Sequence, residues 1–279
     1  MAIFQTSRFK ITTLDFGTFK LDGGAMFGVV PRTLWARHHP PDELNRIDMA
    51  LRCLLIETGD RVILVDTGFG EGRPERFREM YAFTGSEDYI DGGLREVGLK
   101  RGDITDVFLT HLHFDHVGGA TIKNQTTPEP GFPSARYHLQ QKQLEQARSR
   151  LERDKASYFK EDFEPLLEKG VLELYEGDFS LMPGIDTVIV NGHTPAMQLL
   201  RIRDDGKTFV FAADLIPLAS QFSLPWIMAY DLFPVTTLEE KKRILPQAAS
   251  EGWTFIFEHD PKVVSGKVIQ TEKGFALSN

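Results

Sequence analysis

Three histidines and one aspartate stand within six positions in the segment Thr110-His111-Leu112-His113-Phe114-Asp115-His116-Val117-Gly118-Gly119. This segment follows an apolar run, residues 103–110, that we predict to be a buried strand. Because side chains alternate along a strand, we expect His111 and His113 to point the same way, and Asp115 and His116 to face a second point nearby. Four adjacent polar groups are costly to bury unless they bind something. The segment therefore predicts ligands for two metal ions.

Further donors follow other predicted strands. His193 comes directly after an apolar run, where Gly192 allows the backbone to turn. Asp214 closes another apolar run, and its two carboxylate oxygens can bridge two cations. His259 ends a third run near the carboxyl terminus. Each residue alone is a common loop or core residue, but together with the histidine-rich segment they complete the four or five donors that each ion needs.

The remaining pattern predicts a mixed α/β fold. Two apolar runs, residues 51–58 and 61–66, are separated by Gly59-Asp60 and predict a β-hairpin. Strands and helices then mix, with helices predicted at 94–100, 139–150, 158–169 and 237–250 and strands at 186–190, 198–203, 208–213 and 253–258. Two strand-rich halves with helices around them predict two sheets packed face to face with helices outside, a four-layer αβ/βα sandwich. We see no repeat or linker, so we expect residues 1–279 to form a single domain.

Composition excludes several classes of protein. The chain has 279 residues, 41% hydrophobic and 26% charged, and contains no apolar run of the roughly 18 residues that a membrane-spanning helix needs. Its net charge of −8, from 32 basic and 40 acidic residues, argues against nucleic acid as a partner and favours a small hydrophobic substrate. The single cysteine, Cys53, excludes a thiolate metal cage. We read no secretory signal and expect a cytoplasmic protein without a membrane partner.

The motif order resembles the metallo-β-lactamase-fold hydrolases: His-x-His-x-Asp-His, then Gly-His, a strand-end Asp and a last strand-end His. The resemblance covers nearly the whole chain and includes Asp66-Thr67-Gly68 after a strand. In that family this Asp usually supports the ligands from behind, without binding metal itself. The resemblance implies that one ion binds His111, His113 and His193 and the other Asp115, His116 and His259, with Asp214 and a hydroxide bridging both. The ions would be divalent, zinc first, with iron, cobalt and manganese left open.

Two further segments, at 22–28 and 224–234, are similar to loops of quorum-quenching N-acyl homoserine lactonases and of organophosphate hydrolases such as methyl parathion hydrolase. Those loops wall the substrate channel. The apolar candidates in loop-like surroundings here are Met26, Phe27, Trp35, Phe222, Trp226, Ile227, Met228 and Tyr230. Ordinary core packing and a homodimer contact remain alternatives for them. Many of these lactonases have a Tyr three residues after the bridging Asp; this chain has Pro217 there, which makes Tyr230 the candidate substitute.

The function that the resemblance implies is hydrolysis by a hydroxide shared between two metal ions. The hydroxide would open the lactone of an N-acyl homoserine lactone, Asp115 would pass a proton to the departing alkoxide, and Asp214 would fix the spacing of the ions. Phosphotriesters and aryl esters suit the same centre. A phosphodiesterase, another esterase or thioesterase of this fold, and a metal-binding sensor without turnover stay open as alternatives.

Several other polar residues are expected to be structural. The charged run Glu239 to Arg243 is predicted to lie on the solvent face of a helix. His38, His39 and His138 lack partners at ligand spacing and are expected to be surface or packing residues.

Overall fold

A computed structural model describes residues 1–124, 127–272 and 274–278. They divide into two units, the first made of residues 1–17 and 51–177 and the second of residues 18–50 and 178–279. The prediction of one domain over residues 1–279 stays a prediction. The strands are β1 (Ile3–Gln5), β2 (Lys10–Asp22), β3 (Arg46–Glu57), β4 (Val62–Val65), β5 (Asp106–Phe108), β6 (Thr121–Asn124), β7 (Thr127–Pro130), β8 (Arg136–Gln140), β9 (Leu172–Tyr175), β10 (Ser180–Met182), β11 (Ile185–Val190), β12 (Met197–Asp204), β13 (Lys207–Phe211), β14 (Thr254–Ile256), β15 (Ser265–Thr271) and β16 (Gly274–Ser278).

The α-helices are short apart from the last one. They are α1 (Gly23–Phe27), α2 (Arg32–Trp35), α3 (Glu75–Met80), α4 (Tyr89–Glu96), α5 (Phe114–Val117), α6 (Gln141–Ser149), α7 (Glu164–Glu168) and α8 (Pro234–Glu251). Among the described residues, no helix is long and apolar enough to cross a membrane.

The first sheet has the strand order β1-β2-β3-β4-β5-β8-β9. Strands β3 and β4 pair antiparallel, with Leu54 opposite Val65. The hydroxyl of Thr58 closes their connection, because it accepts hydrogen bonds from the backbone N–H groups of Asp60 and Arg61. The predicted hairpin is therefore confirmed. Strands β4, β5 and β8 are parallel, so their carboxyl ends meet at one edge of the sheet.

The second sheet has the strand order β10-β11-β12-β13-β14-β15-β16. Strands β11 and β13 each pair antiparallel with β12, and β13 pairs parallel with β14. Hence β11, β13 and β14 run in the same direction and end at the same edge. The core of this unit includes Leu199, Val210 and Phe255 from the sheet and Ile244 and Leu245 from α8, all of them buried.

Most predicted elements are present, with some differences in extent. The helix predicted at 158–169 is reduced to α7, because its first half contains only a short 3-10 turn, Lys160–Asp162. The helix predicted at 94–100 is instead α4, which begins earlier and ends at Glu96. Strand β2, with 13 residues, and the β15–β16 hairpin were not predicted. The predicted α/β fold class, with two large sheets, is confirmed.

Candidate metal centre

Asp66 organises the histidine-rich segment of the first unit. It follows β4, has a φ of 56° and is fully buried. One carboxylate oxygen accepts the backbone N–H of Thr110 at 2.8 Å, and the other accepts the Thr110 hydroxyl at 2.6 Å and lies 3.1 Å from His116 Nδ1. Because a carboxylate only accepts, His116 carries its proton on Nδ1 and its Nε2 has the lone pair. Asp66 thus orients the ring of His116, one of the ligand candidates.

The other side chains of the segment converge nearby. His111 Nε2 lies 3.0 Å from His113 Nδ1, and Asp115 Oδ2 lies 3.8 Å from His116 Nε2. His111 Nδ1 is 3.0 Å from the hydroxyl of Thr110. All four ligand candidates are buried. Within each pair the possible ligand atoms lie less than 4.8 Å apart.

Two glycines allow this close arrangement. A Cβ atom on Gly118 would lie 2.1 Å from the carbonyl oxygen of Phe69, and one on Gly119 would lie 2.5 Å from that of Thr67. The segment after Asp66 therefore packs backbone to backbone against the end of the histidine-rich segment. Thr67 also donates its N–H to the carbonyl of His116 at 2.7 Å. A larger side chain at either glycine would therefore force these two stretches of backbone apart.

In the second unit, His193 lies between two carboxylates. Its Nδ1 is 2.9 Å from Asp231 Oδ1, and its Nε2 is 3.2 Å from Asp214 Oδ2. A neutral imidazole has one N–H and can donate to only one of them. The second carboxylate therefore requires a cation on the other ring nitrogen, either a proton or a metal ion.

A cation is also needed between His259 and the other carboxylate oxygen of Asp214. Its Nδ1 is 3.0 Å from the carbonyl oxygen of Ala50, which fixes the proton on Nδ1. Its Nε2, which then has the lone pair, lies 3.3 Å from Asp214 Oδ1. Two acceptors at this distance repel each other unless a cation lies near both. Each oxygen of Asp214 thus faces one imidazole nitrogen.

The donor chemistry and spacing fit a divalent ion of the zinc type. Donor atoms about 2.0–2.2 Å from a tetrahedral zinc ion lie roughly 3.3–3.5 Å from each other. The pairs His193–Asp214 and His259–Asp214, at 3.2 and 3.3 Å, match this spacing, and the His111–His113 pair at 3.0 Å is slightly closer. Nitrogen and carboxylate donors also suit iron, cobalt and manganese.

Helix α8 supports His193 through side chains that the sequence analysis missed. Thr237 donates its hydroxyl to Asp231 at 2.7 Å, and Glu240 accepts the backbone N–H groups of Asn191 and Gly192 at 2.6 and 3.1 Å. Burial raises the pKa of the Glu240 carboxyl, although these two N–H groups oppose the shift. The turn before His193 is thus held by the helix that follows it by about 40 residues.

The prediction that Glu239 to Arg243 form a solvated face is wrong for two residues. Glu240 and Lys241 are buried, and Lys241 is fully so. They lie at helical spacing with Thr237, Ile244 and Ala248, which are buried on the same face of α8. Glu239 and Lys242 pair with each other on the outside. The 3.6-residue period of the buried positions could have shown that these two residues face inward, but the run of charged residues obscured it.

The proposed pocket residues Met26, Phe27 and Trp35 lie in helices and are buried; their surroundings are not loops. Phe27 stacks on Trp35 with ring centroids 5.3 Å apart and meets Trp226 edge to face at 5.6 Å. Asp22 caps α1 by accepting the N–H of Ala25, which explains how a glycine-rich segment forms a helical turn.

The remaining pocket candidates lie on the irregular segment before α8. Phe222 and Met228 are buried, Trp226 and Ile227 are half-buried and Tyr230 is exposed. A Cβ atom on Gly28 would lie 2.6 Å from the carbonyl oxygen of Ile227, so the end of α1 and this segment are in close contact. The structure thus brings Phe27, Trp35 and Trp226 together, with Ile227 beside the end of α1. The role of all eight candidates in binding substrate stays a prediction.

The sequence is similar to a known protein family and to several of its members. The profile of the Metallo-beta-lactamase superfamily matches residues 51–259. An N-acyl homoserine lactonase of Bacillus cereus is 31% identical over 175 residues, which are 60% of this chain and 63% of that protein. A probable metallo-hydrolase of Mycobacterium tuberculosis is 33% identical over 129 residues, 41% of this chain and 38% of that protein. The chain thus matches less than two thirds of the length of these curated relatives.

Solved structures resemble the chain over its whole length. A probable metal-dependent hydrolase from Staphylococcus aureus has a TM-score of 0.90 at 29% identity, with 99% of both chains covered. AidC, a dizinc quorum-quenching lactonase in complex with a product, N-hexanoyl-L-homoserine, has a TM-score of 0.80 at 21% identity, with 99% of this chain and 96% of that chain covered. The predicted metallo-β-lactamase fold is confirmed.

Proposed function

The chain belongs to the Metallo-beta-lactamase superfamily, and on this premise we propose that it is a metal-dependent hydrolase that opens the lactone ring of N-acyl homoserine lactones. Relatives named N-acyl homoserine lactonases support the substrate class. The negative net charge and the apolar candidates of the second unit favour a neutral substrate with an apolar chain.

In this proposal the seven ligand candidates bind two ions. One ion takes His111, His113 and His193, the other takes Asp115, His116 and His259, and Asp214 is shared. When bound, two such ions would lower the pKa of a water molecule and polarise the substrate carbonyl. Zinc is the first candidate for both positions, supported by the imidazole and carboxylate donors.

The protein's own residues orient the ligands and move a proton. Asp66, Asp231 and the Ala50 carbonyl each fix one histidine ring by its Nδ1 atom, which would leave Nε2 to bind an ion. Asp214, whose two oxygens face His193 and His259, would be held in common by both ions. The carboxylate of Asp115 would take up the proton that the attacking water oxygen gives up and pass it to the alkoxide oxygen that leaves when the ring opens.

One observation carries the proposal: each carboxylate oxygen of Asp214 faces the Nε2 atom of a histidine whose Nδ1 faces an acceptor. A structural aspartate gains nothing from two such neighbours, because acceptor faces acceptor. A carboxylate shared by two cations explains both contacts with one arrangement.

A substrate panel tests the proposed activity. The protein is loaded with zinc and assayed on N-hexanoyl homoserine lactone, a phenyl ester, a phosphotriester and bis-nitrophenyl phosphate. We expect the lactone to give the highest kcat/KM. A higher kcat/KM on bis-nitrophenyl phosphate would make the protein a phosphodiesterase, and no turnover of any substrate would favour a metal-binding sensor.

Asp214→Asn, which keeps the size but removes the charge, should abolish lactone turnover and lower the metal content. The matched control is Asp205→Asn in the exposed turn after β12, where the positive φ suits asparagine. Equal activity of the two variants would refute the role of Asp214.

A further inference from the structure

Lys241 is a fully buried lysine in the middle of α8. Its Nζ atom lies within hydrogen-bond distance of four backbone carbonyl oxygens, those of Gln221 and Ser223 at 2.7 Å, of Trp226 at 3.1 Å and of Leu224 at 3.3 Å, which share its three N–H groups. All four acceptors belong to one short segment, residues 221–226. The partners of the ammonium group in these hydrogen bonds are therefore backbone carbonyl groups of a single stretch of chain.

These carbonyls explain why a lysine is buried at this position. Residues 223–226 lie outside the strands and helices, and although the carbonyl of Ser223 also accepts the N–H of Trp226 at 3.0 Å, Lys241 supplies donors to the carbonyls of Leu224 and Trp226. An ammonium supplies three N–H donors from one atom, and its hydrogen bonds are stronger than neutral ones. Burial lowers the pKa of Lys241 to about 7, with the charge of Asp231 opposing the shift. The surrounding carbonyl oxygens also favour the charged form.

The segment held by Lys241 carries side chains of the proposed pocket. Trp226 packs edge to face on Phe27, and the side-chain amide of Gln221 donates to the carbonyl oxygen of Met26 at 2.8 Å. Phe222 and Ser223 line a cavity of about 400 Å³ together with His39. Fixing the backbone at residues 221–226 therefore fixes one wall of this cavity and the position of Trp226.

We propose that Lys241 is a positioning residue that sets substrate specificity by holding residues 221–226 in one conformation. It touches neither the metal ligands nor the reacting atoms in this account. Its effect on the substrate rests on the proposed function, because it requires that Phe222 and Trp226 contact the acyl chain. Its effect on the backbone of residues 221–226 does not depend on any activity.

Amide hydrogen exchange tests the structural half of the proposal. In the wild-type protein, peptides covering residues 221–226 should be protected although the segment is irregular. In Lys241→Met, which keeps the length and the apolar stem, exchange in these peptides should be faster by about tenfold or more, while peptides of β11 to β13 keep their rates. The matched control is Lys242→Met, one residue further along α8, whose side chain is half exposed and should leave every peptide unchanged.

Steady-state kinetics tests the specificity half. On lactones with hexanoyl to dodecanoyl chains, Lys241→Met should raise KM by roughly tenfold, most for the longest chains, and leave kcat within about twofold. Zinc content should equal that of the wild type. A variant that loses kcat on all lactones equally, or loses metal, would show a general structural role and overturn the proposal.

The wild-type exchange experiment decides the case even if Lys241→Met does not fold. If residues 221–226 exchange as fast as the exposed turn at Asp205, then Lys241 does not hold them and the proposal is wrong. If they are protected but the wild-type protein opens no lactone, the proposed function fails while the positioning of this segment by Lys241 stands. The two failures are therefore distinguishable.

Discussion

Strand β5 has a histidine and aspartate cluster at each end, and the two clusters differ in chemistry. At its amino end, Asp106 accepts hydrogen bonds from Arg61 Nε at 2.8 Å and from the Thr105 hydroxyl at 2.7 Å, and it lies 2.8 Å from His138 Nε2. The other nitrogen of His138 meets the Tyr175 hydroxyl at 3.0 Å. Here a guanidinium supplies the positive charge, and the cluster is satisfied by the protein itself.

At the carboxyl end of β5, the neighbours are imidazoles and carboxylates. His111 faces His113, and Asp115 lies beside His116, whose ring is fixed by Asp66. No guanidinium takes part in these contacts. Buried histidine and aspartate side chains alone therefore do not indicate a metal. At the amino end the chain's own guanidinium pairs with the carboxylate, whereas the proposed function requires a metal ion at the carboxyl end.

The largest expected effect is at the carboxyl end. His116→Gln removes a proposed ligand, and we expect kcat/KM on N-hexanoyl homoserine lactone to fall by at least roughly 10³-fold, because metal ions contribute several kcal/mol to such hydrolysis. Zinc content should fall in parallel. The counterpart is His138→Gln, which should keep zinc and kcat/KM per folded molecule. If both variants lost metal equally, the distinction between the two ends would be broken.

A smaller effect is expected at the amino end, on stability instead of activity. Asp106→Ala leaves Arg61 and His138 without their common carboxylate. Removing one partner of such a buried pair should lower the free energy of unfolding by roughly 3 kcal/mol. Urea denaturation measures the loss, with Asp60→Ala, at an exposed position in the β3–β4 turn, as control. An unchanged unfolding midpoint would mean that the cluster at the amino end is not structural.

Asp66→Asn tests whether Asp66 orients the His116 ring. Asparagine can still accept from Thr110, but it no longer holds the His116 ring with a carboxylate. We expect zinc affinity to fall by about 10- to 100-fold with little loss of thermal stability in zinc-saturated protein. Competition with a coloured chelator measures the affinity. An unaltered affinity would show that His116 is not oriented by Asp66 for metal binding.

The pH dependence of stability should reflect Asp106. Burial alone would raise the pKa of its carboxyl, but the hydrogen bonds from His138, Arg61 and Thr105 outweigh burial and hold the pKa well below its usual range. The unfolded chain therefore takes up this proton at a higher pH than the folded one. The stabilisation is present above about pH 4 and is lost as the pH falls towards the folded pKa.

We therefore expect the difference in unfolding free energy between the wild type and Asp106→Ala to be about 1 kcal/mol smaller at pH 3 than at pH 6. Urea denaturation at both pH values gives this difference. A difference that grows on acidification would reverse the sign and contradict the ion-pair explanation.

Much of the fold and of the candidate site follows from local patterns. The hairpin of β3 and β4 is encoded by two apolar runs around Gly59-Asp60, and each ligand candidate of the second unit follows an apolar strand. Such signals lie within a few residues and need no knowledge of the tertiary structure. The histidine-rich segment is likewise read directly, since its donors are contiguous.

The supporting residues could not be read in the same way. Asp231 meets His193 across 38 positions, and Glu240 reaches the turn before it across 48 or more. Such pairings are created only when the chain folds. Lys241 was predicted to be exposed because it lies in a run of charged residues. Its position nevertheless fits the 3.6-residue period of the buried residues of α8. These residues are identified by contacts between positions that are far apart in the sequence.

The most direct test of the central claim is a metal titration. Protein stripped of metal by a chelator is titrated with zinc while N-hexanoyl homoserine lactone turnover and bound zinc are measured on the same samples. The account predicts no activity in the stripped protein and a plateau at two zinc ions per chain. Full activity in the stripped protein, or a plateau with bound zinc but no turnover of any lactone, would contradict it.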